Sequence, residues 1–85
     1  MLFDNKRDEF EIIREILYLA TKEIKKTRLM YQTNMCYNHF NEYLKFLIEN
    51  KLLEERVNNL GSRVYVTTEK GRKMLEKITL VIQEI

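Results

Sequence analysis

The sequence predicts a mainly α fold carrying one small β-hairpin. Three observations support this. No proline and only two glycines interrupt 85 residues, so long unbroken elements, above all helices, are expected. Apolar residues recur at spacings of three and four through the first half of the chain and again near its end. Between these stretches the pattern shifts to two short β-prone runs, Leu53–Val57 and Arg63–Thr67. They are separated by Asn58-Asn59-Leu60-Gly61-Ser62, which has hairpin composition. The expected order is helix, helix, helix, strand, turn, strand, helix, in a single domain over residues 1–85.

The first helix has candidate caps in Asp4 and Asn5. Phe10, Ile13, Leu17, Ala20 and Ile24 form its apolar stripe, widened by Ile12, Ile16 and Leu19. Glu11, Arg14, Glu15 and Tyr18 lie opposite, and the helix is expected to run to Thr21 or Ile24. Thr27 is the next cap, opening a short helix that buries Leu29 and Met30. A turn over Thr33-Asn34-Met35-Cys36 ends it, with Asn34 the residue best suited to a left-handed backbone.

A third helix is expected over Tyr37–Glu49, with Asn50 at its C-terminal cap. Phe40, Tyr43, Leu44, Leu47 and Ile48 share one face. Asn38, Glu42 and Lys45 occupy the other, flanked by His39 and Asn41. Phe46 falls on the polar side, where contact with the wing or with a second subunit would account for it. After the hairpin, Thr68 caps a last helix reaching Ile85.

That last helix carries Leu75, Ile78, Ile82 and Ile85 at heptad spacing, with Met74 and Val81 on the flank. Its end is expected to project beyond a three-helix core, leaving residues 74–85 as a dimerisation element. A domain of this size buries only about 60–65% of its unfolded-chain surface, so a partner copy would add needed stability. Burying each of these side chains is worth roughly 1.5–3 kcal/mol.

Composition removes several function classes. The lone Cys36 excludes a disulfide framework within the chain and fits a reducing, cytoplasmic setting. No apolar run approaches the ~20 residues of a membrane span. The early charges at Asp4, Lys6, Arg7, Asp8 and Glu9 do not fit a signal peptide. An enzyme is not expected: His39 and Cys36 stand alone, whereas a structural zinc site needs four ligands. Gly61 and Gly71 are isolated, so no glycine-rich phosphate loop is present. No metal, cofactor or small-molecule ligand is indicated. The net charge of +2 is modest, but Lys22, Lys25, Lys26 and Arg28 cluster with only Glu23 among them.

Two helices joined by a tight turn, the second with a polar outer face, form a helix-turn-helix. The major groove of DNA admits one such helix. Asn38 and Asn41 have the chemistry to bond adenine, and Lys45 to bond guanine; Glu42 can accept from cytosine or steady Lys45. His39 is placed to touch phosphate. The hairpin could lie along the backbone or minor groove, with Arg56, Arg63, Asn58, Asn59 and Ser62 facing phosphates. Lys26, Thr27 and Arg28 stand at a helix N-terminus, a natural phosphate site, and the hydroxyls of Tyr31 and Tyr37 could reach backbone oxygens. Each cluster taken singly is also what an ordinary solvated face looks like. The combination is more specific than its parts.

The runs Lys26-Thr27-Arg28-Leu29-Met30-Tyr31, Asn34-Met35-Cys36-Tyr37 and Tyr43-Leu44 resemble archaeal winged helix-turn-helix regulators, a group that includes small crenarchaeal chromatin-type DNA-binding proteins. The run Tyr65-Val66-Thr67-Thr68-Glu69-Lys70-Gly71 is similar to their junction between wing and last helix, a pattern shared by many winged-helix regulators. The resemblance implies a nucleoid-associated homodimer that binds double-stranded DNA and pairs through its final helix. It places the recognition helix on Tyr37–Glu49 and the wing on residues 56–63. At three positions the chain departs from the pattern. Cys36 replaces a usual serine cap, so weaker capping is expected. Thr67 replaces a large apolar residue, so a looser second wing strand is expected. The final helix is shorter than in coiled-coil members. Sequence-specific regulation is favoured; an architectural DNA-coating role and a winged helix used for protein binding are the alternatives.

Overall fold

A computed structural model describes residues 9–84 of the chain, and side chains as far as Leu80. The candidate caps Asp4 and Asn5, the side chains of Val81 and Ile82, and Ile85 lie outside the described residues. Elements follow in the order α1 (Glu9–Leu19), β1 (Ile24–Lys25), α2 (Lys26–Thr33), α3 (Tyr37–Glu49), β2 (Leu53–Val57), β3 (Arg63–Thr67) and α4 (Glu69–Glu84). The third helix and both hairpin strands have the expected bounds.

The core joins three layers. Ile12, Ile16, Leu17 and Ala20 come from α1 and its C-terminal turn, and Leu29 from α2. Phe40, Tyr43, Leu44 and Leu47 come from α3, and Leu52, Leu53 and Tyr65 from the hairpin. Phe10, assigned to the buried stripe by periodicity, is instead exposed. Asn34 takes the left-handed conformation (φ 54°) that ends α2. The buried Thr33 beside it donates its hydroxyl to the carbonyl oxygens of Leu29 and Met30 at 3.0 Å each. Asn50 caps α3, donating Nδ2–H to the Phe46 carbonyl oxygen at 2.8 Å.

The sheet has one strand more than expected. β1 pairs antiparallel with β3 through Ile24↔Tyr65 and Lys25↔Val64, giving the order β1-β3-β2. Ile24 therefore belongs to a strand and not to the end of α1. The chain leaves the helix at Thr21, whose hydroxyl donates to the Tyr18 carbonyl oxygen at 2.7 Å. Because β1 runs straight into α2, Lys25 holds the N-cap position and Thr27 lies inside the helix. No side chain caps the N-terminus of α2. At Cys36, the N-cap of α3, a side-chain cap bond is likewise absent, as expected from the loss of serine.

Thr67 is a correction to the expectation of a loose strand. It is buried, its hydroxyl donates to the Leu17 carbonyl oxygen at 2.7 Å, and its N–H donates to the Ala20 carbonyl oxygen at 2.8 Å. Two hydrogen bonds onto the C-terminal end of α1 and its closing turn do the anchoring expected of a large apolar side chain. Thr67→Val is expected to cost about 1–3 kcal/mol, because the Leu17 carbonyl would stay buried without that donor. Urea unfolding checks this: Thr67→Ser should lose less than Thr67→Val, and the reverse order would remove the hydroxyl from the explanation.

Thr68 caps α4 as expected, its Oγ1 accepting the Gly71 N–H at 3.0 Å while its hydroxyl donates to the Lys51 carbonyl oxygen at 2.7 Å. The start of α4 is further tied down by Lys70, which donates from Nζ to the Asn50 carbonyl oxygen. The helix then lies along α1. Ile78 is buried within the subunit (7% exposed) and Leu75 packs against the core. Ile78 is therefore corrected: it is consumed inside the subunit and is not free to face a partner copy, whereas Leu75 is half-buried and also lines an open groove between α1 and α4. Met74 and Leu80 remain exposed.

Candidate nucleic-acid interface

The outward face of α3 follows from its inward one. Phe40, Tyr43, Leu44 and Leu47 are buried, and one helical turn of 3.6 residues puts Asn38, Glu42, Lys45 and Glu49 diametrically opposite. All four are exposed. Asn41 and His39 sit on the flanks and are half-buried, so Asn41 belongs to the rim of this surface and not to its centre. Lys45 has no ion-pair partner among the described residues. Glu42 looks instead toward a shallow groove of about 180 Å³ that it lines with Glu9, Ile13, Tyr43 and Phe46. Phe46 thus lies against the start of α1 and away from the wing.

The flank of α3 that begins at Tyr37 meets α2 and the hairpin. Tyr37 is exposed, and the Lys26 ammonium stands 5.6 Å from its ring centroid, a distance at which cation and ring attract. Lys26 is half-buried, whereas Thr27, Arg28 and Tyr31 are exposed along α2. The uncapped N–H groups of the first turn of α2 lie among them. These residues form one continuous surface with α3.

The hairpin divides the predicted wing residues between two sides. Side chains alternate along a strand. Leu53, Tyr65 and Thr67 are buried toward the core, so Glu55 and Arg63 share their side and run outward toward the turn. Glu55 stands directly opposite Tyr65, whose hydroxyl donates to Glu55 Oε2 at 2.7 Å. Arg63 Nη1 lies 3.9 Å from the same oxygen. Burial above all, then the hydrogen bond to Glu55 and its charge, push the Tyr65 phenol far above its usual value, which keeps it a donor.

Arg56 points to the opposite side of the sheet from Arg63, where it forms a two-pronged pair with Glu54 at 3.0 and 3.3 Å. Hydrogen bonding and then the charge of Arg56 hold the Glu54 carboxyl below its usual range. Both line a broad groove with Thr68, Arg72, Lys73 and Glu76, none of them from α3.

Asn58 and Ser62 build the turn. Asn58 Oδ1 accepts the N–H groups of Leu60 and Ser62 at 2.9 and 3.0 Å. The Asn58 N–H donates to the Ser62 carbonyl oxygen at 2.9 Å, and Gly61 supplies the positive φ of 79°. The Asn58 side-chain oxygen is thus committed to the loop, and Asn59 is exposed beside it. Leu60, which charge-based reasoning passed over, is the apex of the hairpin at 84% exposure. Glu55 and Tyr65 were passed over too, although strand alternation and the turn length already placed them opposite each other.

Three helices, a helix-turn-helix closed by Asn34, and a hairpin beside the second helix of that unit now stand together. A family model described as winged helix-turn-helix matches residues 6–85. The chain belongs to the winged helix-turn-helix family. In that frame α3 is the recognition helix and β2–β3 the wing. Among its relatives, protein MJ0290 of Methanocaldococcus jannaschii is 38% identical over 81 residues, covering 94% of this chain and 36% of that protein. The chain thus spans little more than a third of that relative's length. Among solved structures, the winged helix resembles Sso10a-2, a DNA-binding protein from Sulfolobus solfataricus, with a TM-score of 0.81 at 27% identity over 91% of this chain and 80% of that one. The PcaV transcriptional regulator from Streptomyces coelicolor shares the fold at a TM-score of 0.77 and 10% identity, over 98% of this chain and 60% of that one. No helix among the described residues is long and apolar enough to cross a membrane.

Proposed function

We propose that this winged helix binds double-stranded DNA as a homodimer and regulates transcription, with α3 in the major groove and the wing on the adjacent backbone or minor groove. The observation that carries this proposal is the outward face of α3. Asn38 and Lys45 are exposed at its centre, on a helix whose other side is locked into the core and so cannot rotate away. Lys26, Thr27, Arg28, Tyr31 and Tyr37 supply backbone-contacting groups on one side, and Asn59 and Arg63 on the other. The likeness to a DNA-binding protein of Sulfolobus solfataricus and to a transcriptional regulator of Streptomyces coelicolor agrees with it.

For the dimer, support comes from an apolar strip that one subunit leaves open. Tyr18, Leu75, Thr79 and Leu80 line a groove between α1 and α4 together with the charged Arg14 and Glu76, and Tyr18 and Leu80 are about 60% exposed (62% and 59%). A homodimer that reads successive major-groove faces on one side of the duplex needs its two recognition helices about 34 Å apart. Function then needs neither catalysis nor a cofactor, and the site of action is the nucleoid.

A titration of fluorescent duplexes over a salt series tests the proposal. The expected result is an affinity that falls with a slope of roughly −0.9 per phosphate contacted, together with a large preference for a duplex recovered by selection from a random library. Equal affinity for all duplexes would replace regulation with an architectural role, and salt-independent or absent binding would end the DNA proposal. Light scattering at micromolar concentration decides the dimer, which a monomeric mass would exclude.

A further inference from the structure

We propose that Glu55 is a specificity-determining residue: its carboxylate holds Arg63 in the place of a DNA phosphate and so weakens binding to duplexes that α3 does not match. This rests on the DNA-binding proposal above.

An acidic side chain in the middle of a phosphate-contacting surface is costly for binding, since it repels the backbone that its neighbours attract. Glu55 occupies that position. It lies on the α3-facing side of the wing, in register with Tyr65, and Tyr37 is near enough to act on the same Tyr65 hydroxyl. Lys26 over Tyr37 completes a line of groups from the start of α2 to the wing. The carboxylate is not free to swing out of the way. Tyr65 is buried, and its hydroxyl grips Oε2 at 2.7 Å.

The hold on Arg63 is of the opposite kind. At 3.9 Å, between side chains 66% and 39% exposed, the pair is loose, and such pairs contribute little. Arg63 can therefore exchange Glu55 for a phosphate once the duplex is seated. A matched site, docked closely through α3, brings a phosphate within reach of the guanidinium. An unmatched duplex, docked less closely, offers a phosphate that does not displace the Glu55 carboxylate, although a guanidinium freed of that carboxylate could turn to it. Unmatched DNA is thus bound with one cationic contact fewer.

Fluorescence anisotropy with a random-sequence duplex and the selected duplex, over a salt series, tests this on the wild-type chain, Glu55→Gln, Arg63→Ala and the double variant. Both side chains are exposed and Glu55→Gln is isosteric, so folding should be retained, as a thermal melt by circular dichroism would verify. Glu55→Gln is expected to steepen the salt slope on the random duplex by about 0.9, one further phosphate contact. Extrapolated from 1 M salt, that slope is about eightfold tighter binding at ~0.1 M. The gain should be much smaller on the selected duplex, where Arg63 has already exchanged. With Arg63→Ala in place the gain on the random duplex should largely vanish. An equal gain on both duplexes, a gain that survives Arg63→Ala, or no gain would each overturn the assignment while leaving DNA binding intact. Absence of binding by the wild-type chain would remove the DNA proposal and this one together.

Discussion

Gly71→Ala is expected to destabilise the domain by several kcal/mol, against the direction that helix propensity alone would give. Within a helix, alanine is usually better than glycine by roughly 0.5–1 kcal/mol, because glycine loses more backbone freedom on folding. Gly71 is in the first turn of α4, with no requirement for a positive φ. What forbids a side chain is proximity. A Cβ built there would collide with the Leu52 carbonyl oxygen and stand 2.6 Å from Thr67 Cγ2. Neither neighbour can yield cheaply. The Leu52 oxygen accepts the Thr68 N–H at 3.1 Å, and Thr67 is pinned by its two bonds to α1. Overpacking of this kind costs typically 1–3 kcal/mol, and more where backbone must move. In a domain whose stability is of order 5–15 kcal/mol, the fall in urea midpoint should be plain. A midpoint equal to or above that of the unaltered chain would show that α4 can lift off the sheet without loss.

Lys45→Ala is expected to lower affinity for the selected duplex by roughly 10- to 100-fold, and for a random duplex by only a few-fold. Lys45 stands at the centre of the outward face of α3 and has no ion-pair partner among the described residues. A lysine or arginine contact to a guanine edge is worth ~1–3 kcal/mol of discrimination, whereas a phosphate contact is lost equally from every sequence. The ratio of the two losses therefore separates base reading from charge. Equal losses on both duplexes would move Lys45 to the backbone-contacting set, next to Arg28. The substitution is at an exposed helical position, where alanine is well tolerated, so an accompanying loss of fold is not expected.

Much of the fold is legible along the chain. The bounds of α3, the left-handed Asn34, the Asn50 and Thr68 caps and both hairpin strands follow from local patterns: apolar periodicity, residues that tolerate αL, side chains that cap. The face of α3 offered to solvent is legible for the same reason, since burying Phe40, Tyr43, Leu44 and Leu47 leaves Asn38 and Lys45 only one direction to point. The misreadings are of another sort. β1 is two residues long and has no periodicity to detect; it is a strand only because β3 lies beside it. From that one pairing follow the early end of α1, the passing of the cap position from Thr27 to Lys25, and the place of Ile24. Arg56 and Arg63 look equivalent in sequence, seven positions apart, and the register of the hairpin sends them to opposite sides.

By itself, then, the amino-acid order determined the identity and order of the helices, the hairpin and the polar face of α3, because each depends on residues within a turn or two of one another. Only the tertiary structure decided which polar residues act together. Glu55 meets Tyr65 and Arg63, the Asn58 side-chain oxygen is absorbed into its own loop, and Ile78 is used inside the subunit. Those outcomes depend on strand register and on the packing of α4 over α1, contacts between segments far apart in the chain, and no local spacing encodes them.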